Sequence, residues 1–330
     1  MTAEQAADMA TVLAMPPRAS AAARMPPAEL RVRLKTSPLI RRMLPTRLVL
    51  RRAERRAREI WDQSPEGRRD ATAVMEAIVS GTARSGEIEQ LARRYVIERA
   101  LDEAYTWQPW PTPAIDAESA ERLRAVLAGD RGVLLSSCHL GPFFMSVPAF
   151  ATMGVVPFTV AGPWFFETPT HDHWGRRLAL WQKRSASRMV LSTGSFPILA
   201  ALLERGEVVF LFFDMPGSHE TRFLGKTATL ADGSARLAVQ TDAVVLPLRT
   251  RSVGHRVSLD VAAPLDPRDF AGAGELHAAL ARRHEQWILE SPAAMADPRT
   301  FGWGAGATPQ GWSRPERPAE APRGGELAIT

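Results

Sequence analysis

The chain is 330 residues long, 45% hydrophobic and 23% charged, which is enough to bury a core and allows one large α/β unit. Its single cysteine, Cys138, excludes an internal disulfide and a cysteine-based zinc site. The net charge of +5 is unevenly placed: eleven Lys or Arg and one acid, Glu54, stand between Arg31 and Arg58.

In chain order, residues 1–27 are expected to be disordered. They are Ala/Met-rich but carry Glu4 and Asp8 and lack a basic start before an apolar stretch, so no signal peptide is read. Residues 28–61 read as basic amphipathic helices broken by Pro38 and Pro45. Basic residues interleaved with Leu, Ile, Val and Met suit an anionic membrane surface or a polyanion such as RNA; a solvated helix face is the plainer alternative. Ser64-Pro65-Glu66 opens a helix running to about Ser80, with Ser as cap and Pro in the first turn. A further helix is expected over about 87–106.

From about residue 117 helices and strands alternate. A helix over Ala117–Ala128 precedes a strand over 132–137, and a helix over Phe143–Met153 precedes a strand over Val155–Val160. His171–Arg184 reads as a helix, Met189–Ser192 as a strand and Ser195–Glu204 as a helix. Glu207–Phe213 is a strand, Gly233–Thr241 a helix, Ala243–Arg249 and Arg256–Val261 strands, and Glu275–Glu290 a helix. This alternation predicts an α/β fold: a mainly parallel central sheet flanked by helices, with a helical N-terminal region. The expected organisation is a disordered segment 1–27, a basic helical region 28–115, an α/β domain 116–291 and an irregular to disordered tail 292–330. No apolar run reaches the roughly 18 residues of a spanning helix.

Ligands of such sheets bind beyond the carboxyl ends of strands. His139 stands at one such end, after Val133-Leu134-Leu135-Ser136-Ser137-Cys138, and Asp214 at another, after Val208–Phe213. An imidazole fixed there can take a proton at neutral pH; the plainer reading is a turn histidine bound to a carbonyl. A carboxylate after so apolar a strand is costly without a partner. Asp214 could orient the histidine, hold an arginine, or organise the following turn. Cys138 points away from His139 if the strand continues and reads as a small buried residue. No Gly-x-Ser-x-Gly elbow surrounds Ser136 or Ser137. Arg222 and Lys226, flanking Phe223-Leu224-Gly225, could bind phosphate or a phosphopantetheine arm, and Arg184 could clamp an anionic acceptor. His171-Asp172-His173 has the wrong spacing for a helical metal site, and no phosphate-binding glycine loop occurs, so no cofactor is expected.

The order of motifs resembles the lysophospholipid acyltransferase superfamily, in particular the bacterial lipid A lauroyl/myristoyl acyltransferases and the phosphatidylinositol mannoside acyltransferases. The matching pieces are Cys138-His139-Leu140-Gly141, Leu203–Val209 leading to Asp214, Arg222–Gly225, Gly233–Ala238, Ala243–Pro247 and Glu285-Gln286-Trp287, together covering about residues 60–291. The resemblance implies an acyltransferase without a metal, moving an acyl group from a thioester on coenzyme A or acyl carrier protein, with His139 as the catalytic base. It also implies an acid five positions after the histidine, where this chain has Phe144. Asp214, Glu167 and Asp172 are the candidate replacements; otherwise activity is weak or the fold has been turned to other chemistry, and an amine or hydroxylamine acceptor, needing less base assistance, is the preferred way to reconcile the missing acid. Phe143, Phe144, Trp164, Phe165 and Phe166 are expected to line an acyl channel.

Three functions fit these residues. The first is a lipid or glycolipid acyltransferase in the cytoplasm, peripheral to the inner face of the cell membrane. The second is a soluble acyl- or aminoacyl-transferase of secondary metabolism, its donor on a carrier protein or tRNA. The third is a non-catalytic relative. The first is preferred, with His139 as base, Asp214 as orienting residue and Arg184, Arg222, Phe144 and Trp164 at the substrate.

Overall fold

The computed structural model describes residues 43–107, 113–162, 188–253 and 256–301, with Ser37 and Ile40. Among the described residues, three helices precede the sheet: α1 (Thr46–Gln63), α2 (Pro65–Val79) and α3 (Ile88–Trp107). Pro45 ends the preceding chain and α1 begins behind it. Leu50 and Ala57, seven residues apart, bury one stripe of α1. Ser64 caps α2 by accepting from the Gly67 N–H at 3.0 Å, with Pro65 in the first turn, where its missing N–H costs nothing.

Among the described residues the α/β part holds nine strands: β1 (Ala114–Ile115), β2 (Val133–Ser137), β3 (Phe158–Ala161), β4 (Arg188–Leu191), β5 (Val208–Phe212), β6 (Pro216–Phe223), β7 (Lys226–Leu230), β8 (Val244–Val253) and β9 (Arg256–Val261). Between them lie α4 (Ala117–Leu127), α5 (Ser146–Ala151), α6 (Ser195–Glu204), α7 (Gly233–Thr241) and α8 (Ala273–Glu290). Seven strands form one sheet in the order β1-β9-β8-β2-β5-β3-β4. Every pairing in it is parallel except β8 with β9. The fold is therefore α/β with a mainly parallel sheet, as the alternation predicts.

β2 is the centre of the molecule, buried at all five positions. Its side chains alternate between two cores. Leu134 and Cys138 join the cluster built with α2, α6, α7 and α8, whereas Val133 and Leu135 join the one beneath α4 and α5. The first cluster also takes in Val74, Met75, Ile78 and Leu91, so the N-terminal helices share a core with the sheet.

Two local expectations are corrected. Phe143–Met153 is not one helix: a 3-10 turn at Phe143–Met145 leads into the short α5, and the strand expected from Val155 starts only at Phe158, after Pro157. The Arg222–Lys226 segment, where the sequence reading placed no strands, forms the tip of an antiparallel hairpin between β6 and β7. Residues 1–27, the tail beyond 301, and the expected helix His171–Arg184 with Trp164, Phe165, Phe166, Glu167 and Asp172 lie outside the described residues.

Candidate active site

The register of the central strands assembles the site. β2 and β5 run parallel with Ser137 opposite Phe212. Two residues further along each strand places His139 opposite Asp214, on the same side of the sheet. The backbone bond from the Phe213 N–H to the Ser137 carbonyl, 2.6 Å, carries the pairing to the strand ends.

Asp214 grips His139 with both oxygens. The His139 backbone N–H donates to Oδ2 at 3.0 Å, and ring Nδ1 lies 3.0 Å from Oδ1. The side chain of Asp214 is fully buried, and His139 is 4% exposed. A carboxylate so buried needs compensation, and these two bonds supply it. They also fix the tautomer: Nδ1 carries a proton toward Asp214, leaving Nε2 as the basic ring atom. The ring is clamped by aromatic side chains. Phe212 stacks on it with centroids 3.9 Å apart, and Phe143 meets it edge-on at 4.8 Å.

The loop after His139 is held with equal care. Gly141 has φ +62°, and a Cβ there would lie 2.4 Å from the Thr250 carbonyl oxygen, so only glycine fits. A C-terminal strap closes over the loop: Ala296 N–H donates to the His139 carbonyl at 2.8 Å, Gly141 N–H donates to the Ala294 carbonyl at 2.9 Å, and Leu140 bridges Met295.

Of the residues expected at the site, His139 and Asp214 come together. Phe144 packs on Phe143 at 4.5 Å between centroids, and Phe143 in turn touches His139. Arg222 lies on the β6–β7 hairpin, with its side chain partly exposed. Lys226 Nζ sits on the end of α2, donating to the carbonyls of Glu76 and Ala77 at 3.3 and 3.0 Å. Arg184 and Trp164 lie outside the described residues. Cys138 is buried on the other face; burial first, and then the charge of Asp214, push its thiol well above the ordinary value, which suits packing and not nucleophilic attack. No group of three or more metal ligands occurs among the described residues.

Sequence reasoning missed what lies behind the dyad. Phe213, between Phe212 and Asp214, turns to the opposite core, where His277 and His284 of α8 lie against it with centroids 5.0 Å away. Their seven-residue spacing put them on one helix face, a signal present in the sequence. His284 Nε2 shares a 3.0 Å hydrogen bond with Ser136 Oγ. Burial lowers both imidazoles to about 4; for His284 the Asp214 charge opposes that shift, and for His277 the neighbouring His219 adds to it.

A model of the family described as bacterial lipid A biosynthesis acyltransferase matches residues 110–295, more than half of the chain. The chain belongs to that family. The matched region spans the sheet, His139, Asp214 and the strap up to Met295, and bears out the resemblance read in the motifs. Among solved structures, the 1-acyl-sn-glycerophosphate (LPA) acyltransferase PlsC from Thermotoga maritima is similar at 16% identity and a TM-score of 0.38, covering 69% of this chain and 98% of that one. Comparison with curated proteins gives no match. As a lipid A acyltransferase family member the chain falls among acyltransferases that act on lipids, and the residue at the position of the expected acid is Phe144.

Proposed function

We propose that the protein transfers an acyl group from a thioester, on coenzyme A or acyl carrier protein, to a hydroxyl or amine of a lipid or glycolipid, with His139 as general base. The observation that carries this reading is the double contact of Asp214 on His139, which gives the imidazole the carboxylate its catalysis requires. As the acceptor oxygen or nitrogen attacks the thioester carbonyl, Nε2 takes its proton. The tetrahedral adduct then collapses, the C–S bond breaks, and the imidazolium returns the proton to the departing thiolate. Acceptor and thioester become ester or amide and free thiol. The Asp214 carboxyl group, bonded to Nδ1, holds the ring and stabilises the imidazolium. Arg184 and Arg222 are the proposed anion contacts, and Phe144 and Trp164 the proposed acyl contacts.

The case for an unusually reactive acceptor, and for a non-catalytic relative, rested on Phe144 standing where an acid was expected. Asp214 meets that need from a different strand, so neither is favoured.

The acceptor side is proposed to be a membrane. Just before and at the start of α1, Met43 and Leu48 are 83% and 58% exposed. Leu48, Arg51, Arg52 and Arg55 stand three, four and seven residues apart on one helix face, the arginines exposed as well. Such a face suits an anionic lipid surface. No helix among the described residues is long and apolar enough to cross a membrane.

The test is intact-mass analysis of products when purified protein meets a panel of acyl thioesters with lipid and small polar acceptors. A product heavier by one acyl group, lost in His139→Ala, is expected. Equal turnover by both proteins would overturn the base assignment, and acylation of small soluble acceptors alone would overturn the lipid reading.

A further inference from the structure

We infer that Arg99 is a positioning residue for the His139 loop, acting through the strap beyond α8. The inference rests on the reading of His139 as the base.

The strap bonds two backbone groups of that loop, the His139 carbonyl and the Gly141 N–H. Its own position therefore helps to set theirs. α8 ends at Glu290, and a 3-10 turn at Pro292–Ala294 redirects the chain across the mouth of β2. Ala293 and Met295 are buried beneath it. Packing of small and apolar side chains fixes the depth of such a segment but leaves its sliding along the loop weakly specified, because dispersion contacts have little direction. Hydrogen bonds supply the direction.

Arg99 provides one. From α3, its Nη2 donates to the Ala294 carbonyl at 2.7 Å. That oxygen is the one that accepts the Gly141 N–H, so both of its lone pairs are used, one by the guanidinium and one by the loop. The guanidinium is itself anchored one turn along α3 by Asp102, whose side chain is 7% exposed. The charge is thus held in place at the point where strap and loop meet. A second arginine, Arg84, bonds the Leu289 carbonyl at 2.7 Å and pairs with Glu87, which fixes the start of the same segment. Met145, just after the loop, packs with Tyr105 and Ala104 of α3 and Leu50 of α1. The helical region thus grips the His139 loop from two sides, by apolar packing at Met145 and by the Arg99 hydrogen bond at the strap.

Replacing Arg99 with Gln removes the charge and shortens the reach, without altering the chemistry of His139, Asp214 or any residue of the loop. The expected result has three parts. The amides of Gly141 and Ala296 exchange about tenfold faster. The downfield proton resonance of His139 Nδ1–H, bonded to Asp214, shifts or broadens. With an active thioester and acceptor pair, kcat falls about 10- to 100-fold with KM within threefold, as a small misplacement of a catalytic group produces. Arg99→Lys, which keeps the charge but has a shorter reach and no fixed planar geometry, recovers part of each effect. If Arg99→Gln does not fold, Arg99→Lys carries the test on the same three readouts. Unchanged exchange and an unchanged Nδ1–H resonance would overturn the inference, as would a loss of kcat matched by an equal rise in KM. If the wild-type protein transfers no acyl group, the proposed function fails, while the exchange and proton resonance still decide the role of Arg99.

Discussion

His139 and Asp214 hold each other by two contacts, one from the ring and one from the backbone. The backbone contact matters because it survives changes at the ring, so Asp214 stays aligned with the strand end even when the imidazole is altered. Asp214→Asn keeps the shape and the acceptor for one bond but presents an amide N–H where an oxygen stood. The expected outcome is a folded protein with kcat lower by about 10³- to 10⁴-fold, because the imidazole loses its tautomer control and the charge that steadies its protonated form. Steady-state kinetics with the best thioester, beside a circular dichroism spectrum, checks this. The position of the histidine was legible in the sequence: an apolar run ending in small residues, then His, Gly and Pro, describes a strand end. The partner was legible only as one of three candidates. Counting along the chain from His139 leads to Phe144; it cannot tell which residue of another strand lies opposite. Ser137 facing Phe212 is the fact that selects Asp214, and register is a property of the assembled sheet. The aromatic clamp by Phe143 and Phe212 has the same origin.

At the scale of elements, most helices and strands of the described region fall where periodicity and caps place them. α6 and α7 have the bounds read from the sequence, and Asp116 caps α4 by accepting from the Ser119 N–H at 2.8 Å. The β6–β7 hairpin was missed because its two-residue turn is Leu224-Gly225, with φ of 54° and 73°. Asn or Asp before Gly signals such a turn, and leucine in a left-handed conformation does not. The tip docks tightly: a Cβ on Gly225 would fall 1.8 Å from the Gly81 carbonyl oxygen. Gly225→Ala should therefore lower stability by about 2–4 kcal/mol, the range of strained-backbone and overpacking changes. Urea denaturation measures it, and a change below about 0.5 kcal/mol would mean that the hairpin and the α2–α3 turn do not meet.

The whole molecule carries a pH dependence of its own. His277 and His284 lie in the core between α8 and the sheet, with imidazoles at about 4 in the fold against 6.5 for an unperturbed histidine. Neither ring nitrogen of His277 has a hydrogen-bond partner. Because the folded values are depressed, the unfolded chain binds protons that the fold refuses. Stability is fully present above pH 6.5 and falls as pH drops from 6.5 toward 4, by up to about 3 kcal/mol for each group, since one unit corresponds to about 1.4 kcal/mol. Asp266, lowered from 3.8 to about 2 by Arg131, contributes stability that is present above 3.8 and lost as pH falls through 2, so the two effects occupy separate windows. Urea midpoints taken from about pH 7.5 to about 4.5 should fall steadily, and His277→Leu should flatten the slope by about half. A midpoint that does not change over that range would contradict the burial of these two imidazoles.

The central claim, that Asp214 supplies to His139 the carboxylate missing at position 144, is tested most directly by acyl-transfer rates for Asp214→Asn, His139→Ala and the double variant. Residues that act as one unit are not additive. The expected result is a loss of at least about a thousandfold for each single variant, with the double variant no slower than His139→Ala alone. An Asp214→Asn enzyme within about tenfold of wild type, or losses that multiply in the double variant, would show that the two residues do not work as a pair.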